Sequence, residues 1–296
     1  MIAITGITGH TGGFLLRQLV DNGCTETLRC MVRENSDTSG LDGSGLRIDK
    51  FHGSIESVDD LCGFLDGADT LIHVAGIWRT PKLLEAMDRV GTVRHAVLVH
   101  STGVFSKHKM ASEEYKQIER DMQKYLDKGM NITILRPTMI FGDMRDRNIS
   151  KFIRMVDRFK IMPEIDRGAA LIQPVNARDV AQALYKAAMR ERLPELSYNI
   201  SGERPLTLHE LCQTIGRFMG KQVRFISCPM GLGVAGAEVV RVLSGGKKDY
   251  VEKVLRMGED RSFSHEPATR DFGYQPEKFE TGLRREVEEF IANGRK

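Results

Sequence analysis

At 296 residues, with 41% hydrophobic and 28% charged side chains, the chain can bury a full core, either as one large domain or as a domain with a smaller lobe. Its 43 basic and 40 acidic residues leave a formal charge of +3 with no long basic block, and no apolar run reaches the ~18 residues of a membrane span, so nucleic-acid binding and helical membrane insertion are excluded. The 5 cysteines are odd in number and form no C-x-x-C pair, which reads as free thiols with neither disulfides nor a metal site.

The chain opens on an apolar strand, Ile2–Thr5. With that strand starting at the second residue, no signal or transit peptide is expected and the protein is read as cytoplasmic. Gly6, Gly9 and Gly12 follow at a spacing of three, and an amphipathic helix runs from about Thr11 to Asn22. In such a turn Gly6 permits the tight reversal, Gly9 lets a pyrophosphate approach the backbone, and Gly12 lets the helix pack closely. The free N–H groups of the first helical turn, Thr8 to Thr11 with His10 among them, then face the phosphates. A strand before the glycines and a helix after them make this a dinucleotide site.

Further strands are expected at 27–32, 48–52, 70–74, 95–100 and 132–135. Helices are expected around 58–65, 81–89 and 112–128, with a surface loop over 35–45. This alternation predicts an α/β fold, a Rossmann doubly wound parallel sheet with helices on both faces. After Pro137 the pattern loosens. Residues 143–166 read as mixed helix and loop, 171–175 as a strand and 179–189 as a helix. Thr207 with Glu210 three residues on has capping-box spacing for a helix to Gly220. The stretches 231–243 and 247–261 read as helices of a small lobe, serving as lid or oligomer contact, with a homodimer as the candidate assembly. The expected division is a core of 1–142, completed by 171–202, and a smaller discontinuous C-terminal α+β lobe of 143–170 and 203–296 on the substrate side.

Thr5-Gly6-Ile7-Thr8-Gly9-His10-Thr11-Gly12 resembles the T-G-x-x-G-x-x-G turn of the short-chain dehydrogenase/reductases, in their extended and atypical group (epimerase/dehydratase-like and NmrA-like). His73-Val74-Ala75-Gly76 is similar to that family's fourth-strand segment beside the adenosine ribose, and Ser101-Thr102-Gly103-Val104-Phe105 to its serine segment. Leu135-Arg136-Pro137 through Gly142 resembles L-R-P-x-x-V-Y-G, where the proline backbone lies near the nicotinamide. Similar segments recur at Gln173–Ala181, Tyr198–Gly202 and Asp271–Pro276. These matches specify the fold more closely than the reaction.

The resemblance implies a nicotinamide dinucleotide held by Gly6, Thr8, Gly9, His10, Thr11, Gly12, Val74, Ala75, Gly76 and Pro137. Arg33, at the end of the second strand, favours the 2′-phosphate of NADP, although Glu34 beside it leaves NAD open. Where the family commonly carries an aspartate against the adenine, this chain has Gly53-Ser54-Ile55, so that contact is weaker or made through the backbone.

For chemistry the resemblance implies a serine, Ser101, and a tyrosine with a lysine four residues later. Here Tyr115 is followed at that spacing by Glu119, while Lys116 sits about 100° round the helix from it. The family often has a glutamate four residues after its lysine, and anchoring on Glu119 instead puts Tyr115 in the lysine slot and Ala111 in the tyrosine slot. Lys107, His108 and Lys109 could supply a proton donor, or are solvated loop residues. His73 and His100 read as core histidines before catalytic bases. Trp78 lines the pocket or covers the core edge, and Arg145, Asp146 and Arg147 bind substrate or are solvated.

Two functions fit. One is an NAD(P)-dependent oxidoreductase or epimerase acting on a small polar carbonyl or alcohol, with a nucleotide-linked sugar as one candidate, through Ser101, Tyr115 and Lys116. The other is a dinucleotide-binding sensor or accessory subunit without turnover, resembling redox-sensing regulators and the related accessory subunit of respiratory complex I.

Overall fold

The computed structural model describes residues 1–108, 110–159, 161–247 and 249–294. Lys109, weighed above as a proton donor, lies outside them. The main sheet has seven parallel strands: β1 (Ile2–Thr5), β2 (Leu28–Val32), β3 (Ile48–His52), β4 (Thr70–His73), β5 (His95–Val99), β6 (Ile132–Pro137) and β7 (Ser197–Ile200). Their order across the sheet is β7-β6-β5-β4-β1-β2-β3. The chain therefore winds outward in both directions from β1, and the reversal between β1 and β4 opens a crevice at the carboxyl ends of the strands.

Strand alternation builds two cores. Ile2 and Ile4 face one way, with Leu15 and Leu19 of the helix His10–Asp21 and Ala181 and Leu184 of the helix Ala177–Ala188. Ala3, Leu71 and Leu98 face the other way, against Leu61 and Phe64 of the helix Val58–Leu65 and Leu83 and Met87 of the helix Thr80–Val90. Helices thus cover both faces, as the α/β alternation predicts.

Differences from the expected elements are local. The helix from Ser112 stops at Asp121, with a separate turn at Gln123–Leu126. The strand expected at 171–175 divides into Leu171–Ile172 and Val175–Asn176, since Pro174 between them has no N–H to give a ladder. Residues 143–166 form the helix Ile149–Phe159 and the strand Ile161–Ile165, which pairs in parallel with Arg224–Cys228. Thr207 caps the helix Leu208–Phe218 by accepting from the Glu210 N–H at 3.0 Å. The reciprocal half of the box is not made, because the Glu210 carboxylate turns to Arg204 at 2.5 Å.

A third apolar cluster joins Ile153, Leu211, Ile215 and Leu283 to Phe141 and Ile172, and so spans both sides of the expected division. Helix Glu266–Phe272 instead packs on the sheet, where Phe272 and Tyr274 join the core of β1. In the helix Met230–Leu243, Leu232, Val242 and Leu243 are exposed. Among the described residues no helix is long and apolar enough to cross a membrane.

Glu286, on the helix Phe279–Ala292, is fully buried and accepts from the Gly142 N–H at 3.1 Å. Burial and the neighbouring Asp146 push its carboxyl up to about 10. The folded protein thus holds a proton that the unfolded chain releases above its ordinary value, so this group weakens the fold as pH rises towards 10. Glu286→Gln keeps an acceptor for Gly142 without the ionisation. At pH 8 it is expected to raise the melting temperature by roughly 2–4 °C, with the gain vanishing near pH 4; a gain independent of pH would contradict this account.

Candidate dinucleotide site

Two glycines shape the turn after β1. Gly6 has φ +75, a left-handed value that side chains rarely adopt, and its carbonyl accepts from the Gly9 N–H at 3.0 Å. At Gly12 a Cβ would lie 2.1 Å from the Gly6 carbonyl oxygen and 2.5 Å from that of Ile7. The helix therefore seats directly on the turn, a closer contact than packing against the strand. Gly9 caps the helix and offers no side-chain acceptor, so the first-turn N–H groups stay available to an anion.

A buried histidine braces this edge. His73 Nε2 lies 2.9 Å from the Gly76 carbonyl, which can only accept, so Nε2 carries the proton. Nδ1 then accepts from the Thr5 hydroxyl at 2.6 Å. Burial pushes the ring down to about 4, and it stays neutral. His73 is thus a fixed strut between the ends of β1 and β4.

The crevice is a cleft of about 1090 Å³ between the glycine turn, the end of β2 and the loop after β3. Gly6, Thr8, Gly9, Arg33, Ser54, Ile55 and Ala75 line it, all of them expected from the sequence. Arg33 is exposed at its mouth, in a turn closed by the Ser36 N–H on the Arg33 carbonyl at 2.9 Å. The Ser54 N–H is already committed to Asp60 at 2.7 Å and the Ser54 carbonyl to Ser57, which leaves Ile55 as the backbone contact in that loop.

Other expected residues stand behind the wall. The His10 ring points to Asp143, with Nε2 3.2 Å from its carboxylate, and Gly12 lies beneath the turn. Together with Arg145, His10 outweighs the burial that opposes ionisation, and the Asp143 carboxyl is held well below its ordinary range. Val74 packs on the core, and the carbonyl of the buried Pro137 accepts from Thr102 Oγ1 at 3.2 Å. Arg79 is a second cation on the cleft that sequence reasoning missed, pairing with Glu56 at 3.2 Å. No motif marks it; only the fold of the turn after Gly76 brings it there.

On the chemistry side the expected catalytic residues separate. Ser101 Oγ accepts from the Gly103 N–H at 3.0 Å, leaving its own proton to give. The Tyr115 ring is buried among Ile77, Val104 and Ile118, with the Trp78 ring edge-on at 4.8 Å. Lys116 does not join it: its ammonium pairs with Glu113 at 2.6 Å on the outer face, because consecutive helical residues cannot face one pocket.

Glu119 turns inward. Its carboxylate takes Arg136 through two hydrogen bonds, at 3.0 and 2.7 Å, and His100 Nδ1 at 2.9 Å. Burial opposes its ionisation, but the His100 and Arg136 hydrogen bonds prevail and hold its carboxyl below the ordinary value. Burial lowers His100 itself. Glu119 therefore locks the helix to β6, and His100 serves that lock.

A C-terminal segment closes the far side. Glu259 accepts from Ser106 Oγ at 2.6 Å and from the Lys107 N–H at 2.7 Å, and Phe263 lies 5.3 Å from Phe105. The crevice that Phe105, Ser106, Arg256 and Arg261 share there is about 40 Å³, room for about one water.

The chain matches the family model described as NAD(P)H-binding over residues 6–190. It is 26% identical over 250 residues to the sterol demethylase protein B of Methylococcus capsulatus, spanning 73% of this chain and 71% of that protein. Its fold matches a nucleoside-diphosphate-sugar epimerase from Pseudomonas aeruginosa at a TM-score of 0.78 and 17% identity, covering 99% of this chain and 98% of the other. The dTDP-glucose 4,6-dehydratase of Streptomyces venezuelae, solved with NAD bound, matches at a TM-score of 0.73 and 19% identity, over 99% and 97% of the two chains.

Proposed function

The chain belongs to the NAD(P)H-binding family and has the fold of the extended short-chain dehydrogenase/reductases, and from that premise we propose that it is an oxidoreductase using NADP(H) on an alcohol or carbonyl. The observation that carries this reading is the open cleft whose floor is the uncapped helix start at Gly9 and whose mouth is Arg33. The cleft, at about 1090 Å³, is just above the ~300–1,000 Å³ range of small-ligand sites, room enough for a dinucleotide. Arg33 would hold the 2′-phosphate, with the first-turn N–H groups on the pyrophosphate and Ile55 near the adenine.

When bound, the nicotinamide supplies or takes up the hydride. Ser101, whose hydroxyl proton is not used in its contact with Gly103, would donate a hydrogen bond to the substrate oxygen and polarise it. Tyr115 is the candidate proton donor, with the Trp78 ring edge-on to it. Trp78, edge-on to Tyr115, and Phe105, at the end of the turn after Ser101, are 44% and 47% exposed. Those exposed rings suit a cyclic alcohol or ketone, in keeping with a relative named for sterol demethylation, alongside nucleotide-linked sugars. A second reading, dinucleotide binding without turnover, is favoured by the locked Glu119 at the position four residues after Tyr115.

Titration with NADPH and NADH, then turnover with cyclic ketones and nucleotide sugars, separates the readings. Turnover lost in Tyr115→Phe supports the oxidoreductase; tight binding with no turnover supports the second reading; no dinucleotide binding sinks both. Arg33→Asp is expected to weaken NADPH by roughly 10–100-fold, the worth of one charged hydrogen-bond pair, and to spare NADH. An unchanged preference would remove Arg33 from the 2′-phosphate.

A further inference from the structure

A second cavity, of about 450 Å³, opens where the first helix, the helix Ala177–Ala188, the helix Phe279–Ala292 and the loop after Gly142 meet. It shares no lining residue with the dinucleotide cleft. Four arginines from four stretches of chain converge on it: Arg17, Arg145, Arg178 and Arg285.

Two of them are matched by acids. Arg145 reaches Asp143 at 2.7 Å, and Arg285 pairs with Glu277. Arg17 and Arg178 are different. Among the described residues no carboxylate pairs with either guanidinium, and Arg178 Nε is a buried atom with no hydrogen-bond partner. Both instead lie over the Phe14 ring, at 5.3 and 4.7 Å from its centroid. Glu289, also in the wall, offsets part of this charge from the far helix. Burial, then the neighbouring Arg285 and Arg17, lowers the basicity of Arg178, and prevails over the opposing carboxylates Glu277 and Asp143, of which Asp143 also lines the cavity.

Crowded cations with unspent N–H donors are what a bound anion relieves. A planar carboxylate is satisfied by one arginine fork, whereas donors arriving from several directions suit a tetrahedral group. We propose that this cavity is a binding site for a phosphate group, held by Arg17 and Arg178 over Phe14 and separate from the dinucleotide. The cavity exceeds the volume of the anion, so both free phosphate and a small phosphate monoester fit the chemistry.

Calorimetric titration of the full chain at constant ionic strength tests this. Inorganic phosphate, glycerol 3-phosphate and acetate are compared, with and without saturating NADPH. Phosphate binding that persists with NADPH present, and that weakens about tenfold in Arg178→Gln and in Arg17→Gln, is expected. NADPH affinity should be unchanged in both variants. Arg17 is exposed, so its substitution leaves the fold intact even if Arg178→Gln perturbs it. Tighter binding of glycerol 3-phosphate than of phosphate assigns the site to a phosphorylated metabolite, and equal binding to free phosphate. No phosphate binding, acetate binding as tight as phosphate, or affinity unaffected by either substitution overturns the proposal.

Discussion

Gly12→Ala should cost about 3 kcal/mol of stability, the upper end for overpacking, and weaken dinucleotide binding at least about tenfold. The added methyl would sit 2.1 Å from the Gly6 carbonyl oxygen and 2.5 Å from that of Ile7. Both are main-chain atoms of the turn itself, so no rotamer change relieves the contact and the helix must lift from the turn. On the proposed binding mode, the first-turn N–H groups then lose their aim at the phosphates. Gly13→Ala, the same chemical change one residue on, meets nothing within 4 Å and replaces a glycine inside the helix. It should stabilise by roughly 0.5–1 kcal/mol and leave binding unchanged. Urea denaturation with NADPH titration of the two variants decides the matter. If both shift stability the same way, the helix does not rest on the turn as described.

Glu119→Ala should cost about 3–5 kcal/mol, the range for breaking a buried ion pair. Arg136 and Glu119 are 13% and 14% exposed, and the alanine leaves the guanidinium, among the described residues, with Ser197 Oγ at 2.7 Å and the Phe105 ring at 5.3 Å but no carboxylate. A loss below about 1 kcal/mol would class the pair with surface ion pairs and refute the lock. Replacing both partners by apolar residues, as in Glu119→Leu with Arg136→Met, should recover much of the loss, because no unpaired charge remains. The pH dependence has a definite sign. Glu119 is held below its ordinary value in the folded state, so its contribution is complete above that value and fades as pH falls through the folded one. His100, buried and lowered, also favours the fold less as acid is added, since the unfolded chain takes the proton first. Glu119→Ala should therefore flatten the acid limb below the ordinary glutamate value, while His100, stripped of the carboxylate that raises it, keeps its own loss at higher pH.

Much of the fold is legible from the first strand onward. The bounds 48–52 and 58–65 of β3 and its following helix emerge from the pattern alone, as does the glycine turn. Local chemistry suffices there: apolar alternation, capping residues and glycine spacing act over a few residues. The pattern blurs at 171–175, where Pro174 interrupts a strand, and at 121–123, where the helix breaks without a proline or glycine to announce it.

The sequence by itself determined the parallel α/β fold, the family and the dinucleotide turn, because each depends on residues close together in the chain or on a repeated period. The tertiary structure decided what the polar residues do. His10 turns to Asp143, His73 braces two strand ends, Lys116 faces solvent, and Glu119 closes on Arg136 and His100. Arg17 and Arg178 meet over Phe14 although they lie in different halves of the chain. The reason is physical. A periodic pattern reports which side of an element is buried, but a charge or a ring nitrogen takes its role from the partner opposite, and that partner is brought there by long-range packing.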